Sequence, residues 1–369
     1  MVWIHPFEKR VVNFLIRKII SGFLVLAGVV VVIFFLFNVL PADPARMMLG
    51  QRADSVSIAI INKDLGIDQP LSKQFLMYAN DLSVLSVYNE KNPESRFYLD
   101  PKKYPHLLKI ISLSSGKTFV LKPPYLRRSY QSKRNVSEIL GEKIPDTAVL
   151  AIAAITFATI TGIVLGILSA LKRDTVIDKF TLALSVSGVA VPSFFVAIIF
   201  AWIFGYLLSQ YTGLNMTGGL YSINAFAGEH LELKNLILPM VVLGIRPLSI
   251  IVQLTRSSLL EVLSNDYIRT ARAKGLGRYA VIAKHALQNA LNPVVTAISG
   301  WLGSLLAGAV FIEYIFGWNG IGKLTVTSLE NYDLPVVMGI VLFISSVFIV
   351  LNIISDLLYG LIDPRIRIS

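Results

Sequence analysis

From Gly317 to Thr325 the sequence reads GWNGIGKLT. A loop that cradles phosphate reads G-x-x-x-x-G-K-[ST], because the amides of a glycine-rich turn and a lysine ammonium converge on one anion. Gly317, Gly322 and Lys323 fall on the first three fixed positions, and Leu324 stands where the metal-binding hydroxyl belongs. Nucleotide binding is therefore the first chemistry to weigh. Other reactive constellations are scarce. There are no cysteines, which removes a disulfide framework, a thiolate nucleophile and a Cys-ligated metal. The four histidines are scattered singly, with no H-E-x-x-H, so neither a metal site nor a cofactor is expected. No clustered nucleophile and base argue for a membrane-anchored enzyme.

The elements that must position these residues are apolar. The 369-residue chain is 54% hydrophobic and only 15% charged, with mean hydropathy +0.65, the balance of a membrane protein. Its net charge of +11 is not gathered into a soluble basic patch with interleaved aromatics, so nucleic acid is not an expected partner. The basic residues sit instead beside apolar runs.

Crossing the hydrocarbon core as a helix takes roughly 20 apolar residues. Six runs qualify: Ile19 to Leu40, Thr147 to Leu171, Phe180 to Leu208, Leu236 to about Leu254, Pro293 to Ile312, and Pro335 to Leu361. The first exceeds the roughly 7 to 15 residues of a signal-peptide core, and PADPARM after it is a poor cleavage site, so it reads as a retained anchor. Lys9, Arg10, Arg17 and Lys18 precede the first run, and Lys172, Arg173 and Lys179 lie between the second and third. Arg256, Arg269, Arg272, Lys274, Arg278 and Lys284 lie between the fourth and fifth, and Arg365 and Arg367 end the chain. Opposite them the short loops carry Lys234 and Lys323, which places both termini in the cytoplasm. The expected organisation is residues 1–40 as N-terminus and first helix, 41–146 as an external loop or subdomain, and 147–369 as a five-helix core. On this topology GWNGIGKLT is external, away from cytoplasmic ATP, and follows a membrane helix rather than a strand. It reads as a glycine-rich re-entrant turn.

Between the fourth and fifth runs lies EVLSNDYIRTARAKGLGRYAVIAKHALQNALNP, Glu261 to Pro293. Tyr267 to Lys274 is rich in helix formers, Gly275 and Gly277 break the helix, and Tyr279 to Leu291 restarts it. A sharp turn calls for positive φ at Gly275, where a side chain is strained. Two readings fit this pattern: a protrusion that enters a groove on a partner protein, and an interfacial helix on anionic lipid. Spacing does not separate them.

DYIRTARAKGLGRYAVIAKHALQNALNPV resembles the EAA-type cytoplasmic coupling loop of inner-membrane permease subunits of binding-protein-dependent ABC importers, in their dipeptide/oligopeptide branch. The resemblance extends through LPADPA, LGIDQPLSKQF, PDTAVLAI, VPSFFVA, LILPMVVLG, GAVFIEYIFGWNGIGKL and LYGLIDPR, in one order along most of the chain. It implies an all-α integral membrane protein of six transmembrane helices, resident in the bacterial inner membrane. It also implies a homologous second permease, two ATP-binding subunits that carry out ATP hydrolysis, and an external solute-binding protein. Ala271 and Gly275 match the fixed small positions of the coupling signature. Asp266, Tyr267, Arg269, Lys274, Leu276 and His285 occupy its flanking places, His285 reading as an interface histidine. The chain departs from the compact family pattern at Ser83 to Tyr125, where short apolar runs such as KTFVLK suit strands. That insert reads either as a subdomain contacting the delivery protein or as a decoration of this lineage.

An ionisable residue inside a span costs on the order of 3 kcal/mol, so Arg246 and Asp356 are pathway candidates. Asp356 has a second reading, pairing with a basic residue near the cytoplasmic boundary. Arg246, before Pro247, either lines the pore or contacts unwound backbone. Glu313 is a gate candidate by family position alone. Gly300, Gly303, Ser304 and Gly308 form a small-residue strip that suits helix packing and also leaves room for solute. Pro192 should kink the third helix. The rival class, an ion-coupled secondary transporter, would need intramembrane carboxylates and inverted repeats; Asp356 is a single candidate acid, and no repeat is evident.

Overall fold

The computed structural model describes residues 6–39, 58–59, 62, 68–90, 92, 95, 97–99, 104, 107–113, 116–224 and 228–362. LPADPA, Arg365 and Arg367 lie outside the described residues. The chain divides into two compact units. One comprises Met1–Gly22, Lys143–Val326 and Ile344–Ser369, the other Phe23–Glu142 and Thr327–Phe343.

Among the described residues, four continuous helices are long and apolar enough to cross a bilayer: α1 (Pro6–Val39), α3 (Val136–Leu171), α6 (Lys234–Leu263) and α12 (Leu334–Ile362). Two further crossings are possible if each of two bent pairs counts as one. α4 (Val176–Ala190) and α5 (Ser193–Trp202, continued by a π-helical Ile203–Leu207) meet at 110°. α9 (Asn292–Gly308) and α10 (Val310–Phe316) meet at 62°. The third expected span is thus not a kinked rod but two helices. Pro192 has no N–H to continue the ladder and holds Val191 extended at φ −83°, ψ 134°, so α4 stops there. The second span begins earlier than expected, at Val136, because the helix runs through Pro145 and loses one backbone hydrogen bond instead of ending.

In the first unit α6 is the central element. In lipid, helices gain no hydrophobic driving force from one another, so close contact depends on small residues that let backbones approach. Gly162 and Gly166 of α3 supply it. A Cβ on Gly162 would sit 2.8 Å from Ile251 Cγ2, and one on Gly166 would sit 2.6 Å from Thr255 Cβ and 2.9 Å from the Val252 carbonyl oxygen. Gly188 of α4 lies against Ile245 and Ser249, and Gly244 of α6 lies against Phe157 and the Ala154 carbonyl. Around this seam Leu150, Ala154, Ala197, Val242, Ile312, Phe316 and Trp318 form a buried core.

In the second unit α2 (Leu71–Leu82) packs with residues of α1 and α12 through Phe34, Tyr78, Leu334 and Val337. A three-stranded antiparallel sheet follows, with β1 (Leu85–Asn89), β2 (Leu108–Ser112) and β3 (Lys117–Leu121) in the order β1-β3-β2. The alternation in KTFVL puts Thr118 and Val120 inward, with Tyr88, Leu99 and Tyr104. Asp81 anchors the sheet: its carboxylate accepts from the Tyr104 hydroxyl at 2.6 Å and Arg127 Nε at 3.3 Å, and its carbonyl from Lys122 Nζ at 2.5 Å. Burial, reinforced by that carboxylate, pushes the Tyr104 phenol well above its ordinary pKa, so it remains a donor. Asp333 accepts from the Ser129 hydroxyl at 2.5 Å and the Tyr130 N–H at 2.9 Å, fixing a turn in which Arg127 and Lys133 both have positive φ.

The glycine seam predicts that Gly166→Val lowers stability by about 2 kcal/mol through overpacking, read as a drop in the thermal unfolding temperature in detergent. Gly141→Ala, also in α3 but with nothing within 4 Å of the added methyl, is expected to leave that temperature unchanged or raise it.

Candidate coupling site and the Gly317 turn

The helix, glycine turn and helix expected between the fourth and fifth spans are present. α7 (Asp266–Ala273) leads to Gly275, whose φ of +79° no bulky residue adopts without strain. Nothing lies within 4 Å of a Cβ there, so the backbone angle alone calls for glycine. α8 then runs as Arg278–Ala280, a π-helical Val281–Ala286 and Leu287–Ala290. The module has two faces. Ile268, Ala271, Val281, Ala286 and Ala290 are buried with Ala170, Leu259 and Val262, the last two from the end of α6. Asp266, Tyr267, Arg269, Lys274, Leu276, Tyr279 and His285 lie on the exposed side, Tyr279 at 85%. Asn289 Nδ2 donates to the Tyr267 hydroxyl at 3.0 Å, tying α7 to α8, and Arg269 pairs with Asp266 at 3.4 Å. A cavity of about 460 Å³ opens beside the module, lined by Ala170, Leu263, Arg272, Leu276, Arg278 and Val281.

Beneath the module is a clamp that sequence reasoning missed. The Asp178 carboxylate, 2% exposed, accepts from Arg256 Nε and Nη2, each at 2.7 Å, from the Ser169 hydroxyl, and from the Asp174 N–H at 2.9 Å. It joins α3, α4 and α6 at one point. Asp178 also lies in the first turn of α4, where the helix dipole favours an anion. The available signal was an acid and a base near the ends of neighbouring apolar runs; Arg256 registered only as a topological charge.

The Gly317 turn answers the nucleotide question in atomic terms. Gly317 closes α10 with φ +69°, and α11 (Ile321–Glu330) begins four residues later. A phosphate would bind the free amides of such a helix start. Here the amides of Gly322 and Lys323 donate instead to the Glu313 carboxylate, at 2.7 and 3.3 Å. The Thr147 hydroxyl donates to Glu313 at 2.7 Å and accepts from the Ile321 N–H at 2.8 Å. Lys323 Nζ donates to the Gly317 carbonyl at 3.3 Å, and the Trp318 indole N–H to the Asp146 carbonyl at 2.9 Å. Glu313 and Trp318 are fully buried, and a Cβ on Gly320 would collide with Thr147 and Glu313. The anion site is filled by the protein's own carboxylate. Glu313, expected as a gate residue, lies in this knot.

The other path candidates separate. Asp356 pairs with Lys18 Nζ at 2.6 Å, the geometry of its basic-partner reading. α6 is helical through Pro247, so Arg246 has no unwound backbone beside it; its side chain is exposed. Gly303 faces Phe348 of α12, at 3.3 Å from a built Cβ, whereas Gly300 and Ser304 are exposed. Gly308 ends α9, and Pro192 caps α5.

These features define a polytopic helical membrane protein with a packed helical hairpin between two of its membrane segments. Residues 162–368 match the family described as "Binding-protein-dependent transport system inner membrane component", and residues 11–93 its N-terminal counterpart. The chain belongs to this family of inner-membrane transport components. It is 32% identical over 365 residues to a dipeptide transport system permease protein DppB of Alkalihalophilus pseudofirmus, covering 95% of this chain and 98% of the relative. It is 32% identical to a glutathione transport system permease protein GsiC of Salmonella paratyphi A, covering 96% and 99%. To DppB of Escherichia coli K12 it is 33% identical, covering 96% and 98%. Among solved structures, a chain of the inward-facing MetNI methionine ABC transporter matches 62% of this chain and 97% of its own length, with 16% identity and a TM-score of 0.49.

Removing one member of a buried pair leaves the other charge uncompensated. Asp178→Ala is therefore expected to lower stability by about 3 kcal/mol, while Asp178→Leu combined with Arg256→Met recovers most of it. Thermal unfolding of the three proteins in detergent checks both outcomes.

Proposed function

We propose that this chain forms half of the translocation pathway of an ATP-driven importer for peptides or a related solute. Its α7–α8 hairpin docks into two-subunit ATPase machinery, one hairpin from this chain and one from a homologous permease. An external solute-binding protein delivers the cargo to the side where residues 41–146 lie, and both termini are cytoplasmic. The names of the DppB and GsiC relatives support the solute class.

The observation that carries the coupling role is the rooting of the hairpin. Its inner face shares a core with Leu259 and Val262 of α6, and the Asp178–Arg256 clamp ties the same helix to α3 and α4. Displacement of the hairpin is thereby transmitted to α6 rather than absorbed by a flexible tether. The chain supplies two packings whose populations shift because the ATP-bound partner binds one of them more tightly. ATP hydrolysis itself belongs to the partner.

At Gly275 a β-branched side chain meets no neighbour but strains the +79° angle. Gly275→Val is expected to lower ATP-driven uptake in proteoliposomes about tenfold or more, with membrane insertion intact and ATP hydrolysis no longer stimulated by the loaded delivery protein. Normal uptake by this variant would remove the coupling role. Uptake that survives ATP depletion and collapses with the proton gradient would favour an ion-coupled carrier instead.

A further inference from the structure

Arg246 stands out among the charges of the long helices. Arg256 of the same helix is paired with Asp178, and Lys18 with Asp356. Arg246 has no hydrogen-bond or ion-pair partner among the described residues, and its side chain is exposed. It sits near the middle of the apolar part of α6, where an unpaired cation facing lipid is costly.

Most of the residues that follow it on this face are polar. Arg246, Ile250, Gln253, Ser257 and Glu261 follow at spacings of four, three, four and four, which aligns them on one side of a helix. All five are exposed or half-buried. The opposite side, with Gly244, Ile251, Val252, Thr255 and Leu259, is buried within the chain's own fold. Toward the hairpin end, a helix facing lipid would carry apolar residues in place of Gln253, Ser257 and Glu261. The open side of α6 therefore meets water or solute. A guanidinium with five fixed donors is matched best by a carboxylate, which it grips with two parallel hydrogen bonds.

We propose that this stripe is the solute-facing wall of the pathway and that Arg246 reads a free carboxylate on the solute at mid-membrane. The proposal rests on the importer reading above and adds the chemical group recognised and the residue that recognises it. Gln253 and Ser257 offer neutral hydrogen bonds along the way inward, and Glu261 repels the carboxylate at the hairpin end. Such a wall favours solutes with a free acidic end and disfavours their neutral analogues.

The test uses the complete transporter in proteoliposomes, with a free-acid peptide and its C-terminal amide. Each variant is compared with wild type for the same peptide, so the selectivity of the delivery protein cancels. Arg246→Gln is expected to lower uptake of the acid about tenfold and of the amide less than twofold, and Arg246→Lys to restore part of the loss. Equal loss for both peptides, or none for either, would overturn the carboxylate role. So would loss of pairing between the two permeases in Arg246→Gln, because the carboxylate would then belong to the partner subunit. A second measurement does not depend on transport. The chain has no cysteine, so Gln253→Cys and Ser257→Cys each carry a single thiol. Both are expected to react with a charged thiol reagent about tenfold faster than Ile160→Cys, on an exposed apolar face of α3, because thiolate chemistry needs water. Equal rates would overturn the wall itself. Import failing in wild type while the stripe still labels would count against the importer reading and leave the wall standing.

Discussion

The close approach of α6 to α3 and α4 is the contact on which the rest depends. Within a bilayer, apolar side chains gain little by leaving lipid for protein, so helices hold together through backbone proximity and a few polar contacts. Gly162, Gly166, Gly188 and Gly244 provide the proximity, and Asp178 with Arg256 provides the polar contact at one end of the seam. The two devices differ in kind. The seam supplies proximity along the helix, whereas a bidentate carboxylate–guanidinium pair is a directional contact at one point. Together they make α6 a stiff element held at one end and packed along one side.

The turn at Gly317 shows how the same local geometry serves opposite ends. A glycine-rich turn followed by a helix start presents unpaired amides, and an anion must satisfy them. In a nucleotide-binding loop that anion comes from outside. In this protein Glu313 supplies it from the preceding helix, and Thr147 closes the ring by serving Glu313 as donor and the Ile321 amide as acceptor. Removing the need for a ligand lets the turn act as a permanent joint between α10, α11 and the start of the apolar part of α3. Gly320 and Gly322 are then required by space rather than by backbone angle: a Cβ on Gly322 would lie 2.5 Å from Val310 Cα.

Much of this was legible in the residues. Apolar runs of sufficient length located the long helices, because a segment in hydrocarbon must satisfy its own backbone. The pair Gly275 and Gly277 located the hairpin turn, and the alternation in KTFVL located a strand. Other features depended on partners distant in sequence. Asp178 and Arg256 lie 78 positions apart, and neither residue alone signals the other. Thr147 and Glu313 are 166 apart. The extent of the bend at Pro192 was also hidden: a proline inside a membrane helix is compatible with a slight kink or a full break, and packing chooses between them. The start of α3 was misplaced for a related reason, since PDT reads as a helix beginning while the helix in fact runs through it.

The division of labour within α6 follows from these contacts. One side is committed to the glycine seam, the end beyond Arg256 is committed to the hairpin core through Leu259 and Val262, and the remaining side carries Arg246, Gln253, Ser257 and Glu261. On the proposed coupling role, a single helix has a fixed side, an end that receives a push, and a side carrying Arg246 whose position follows that end. On that role, the close glycine contacts of its fixed side leave little slack, so motion at the hairpin would appear as a shift or rotation of the whole helix. On the importer reading, a permease subunit drives a solute in this way when the force applied at one end of the helix reaches the groups at its middle.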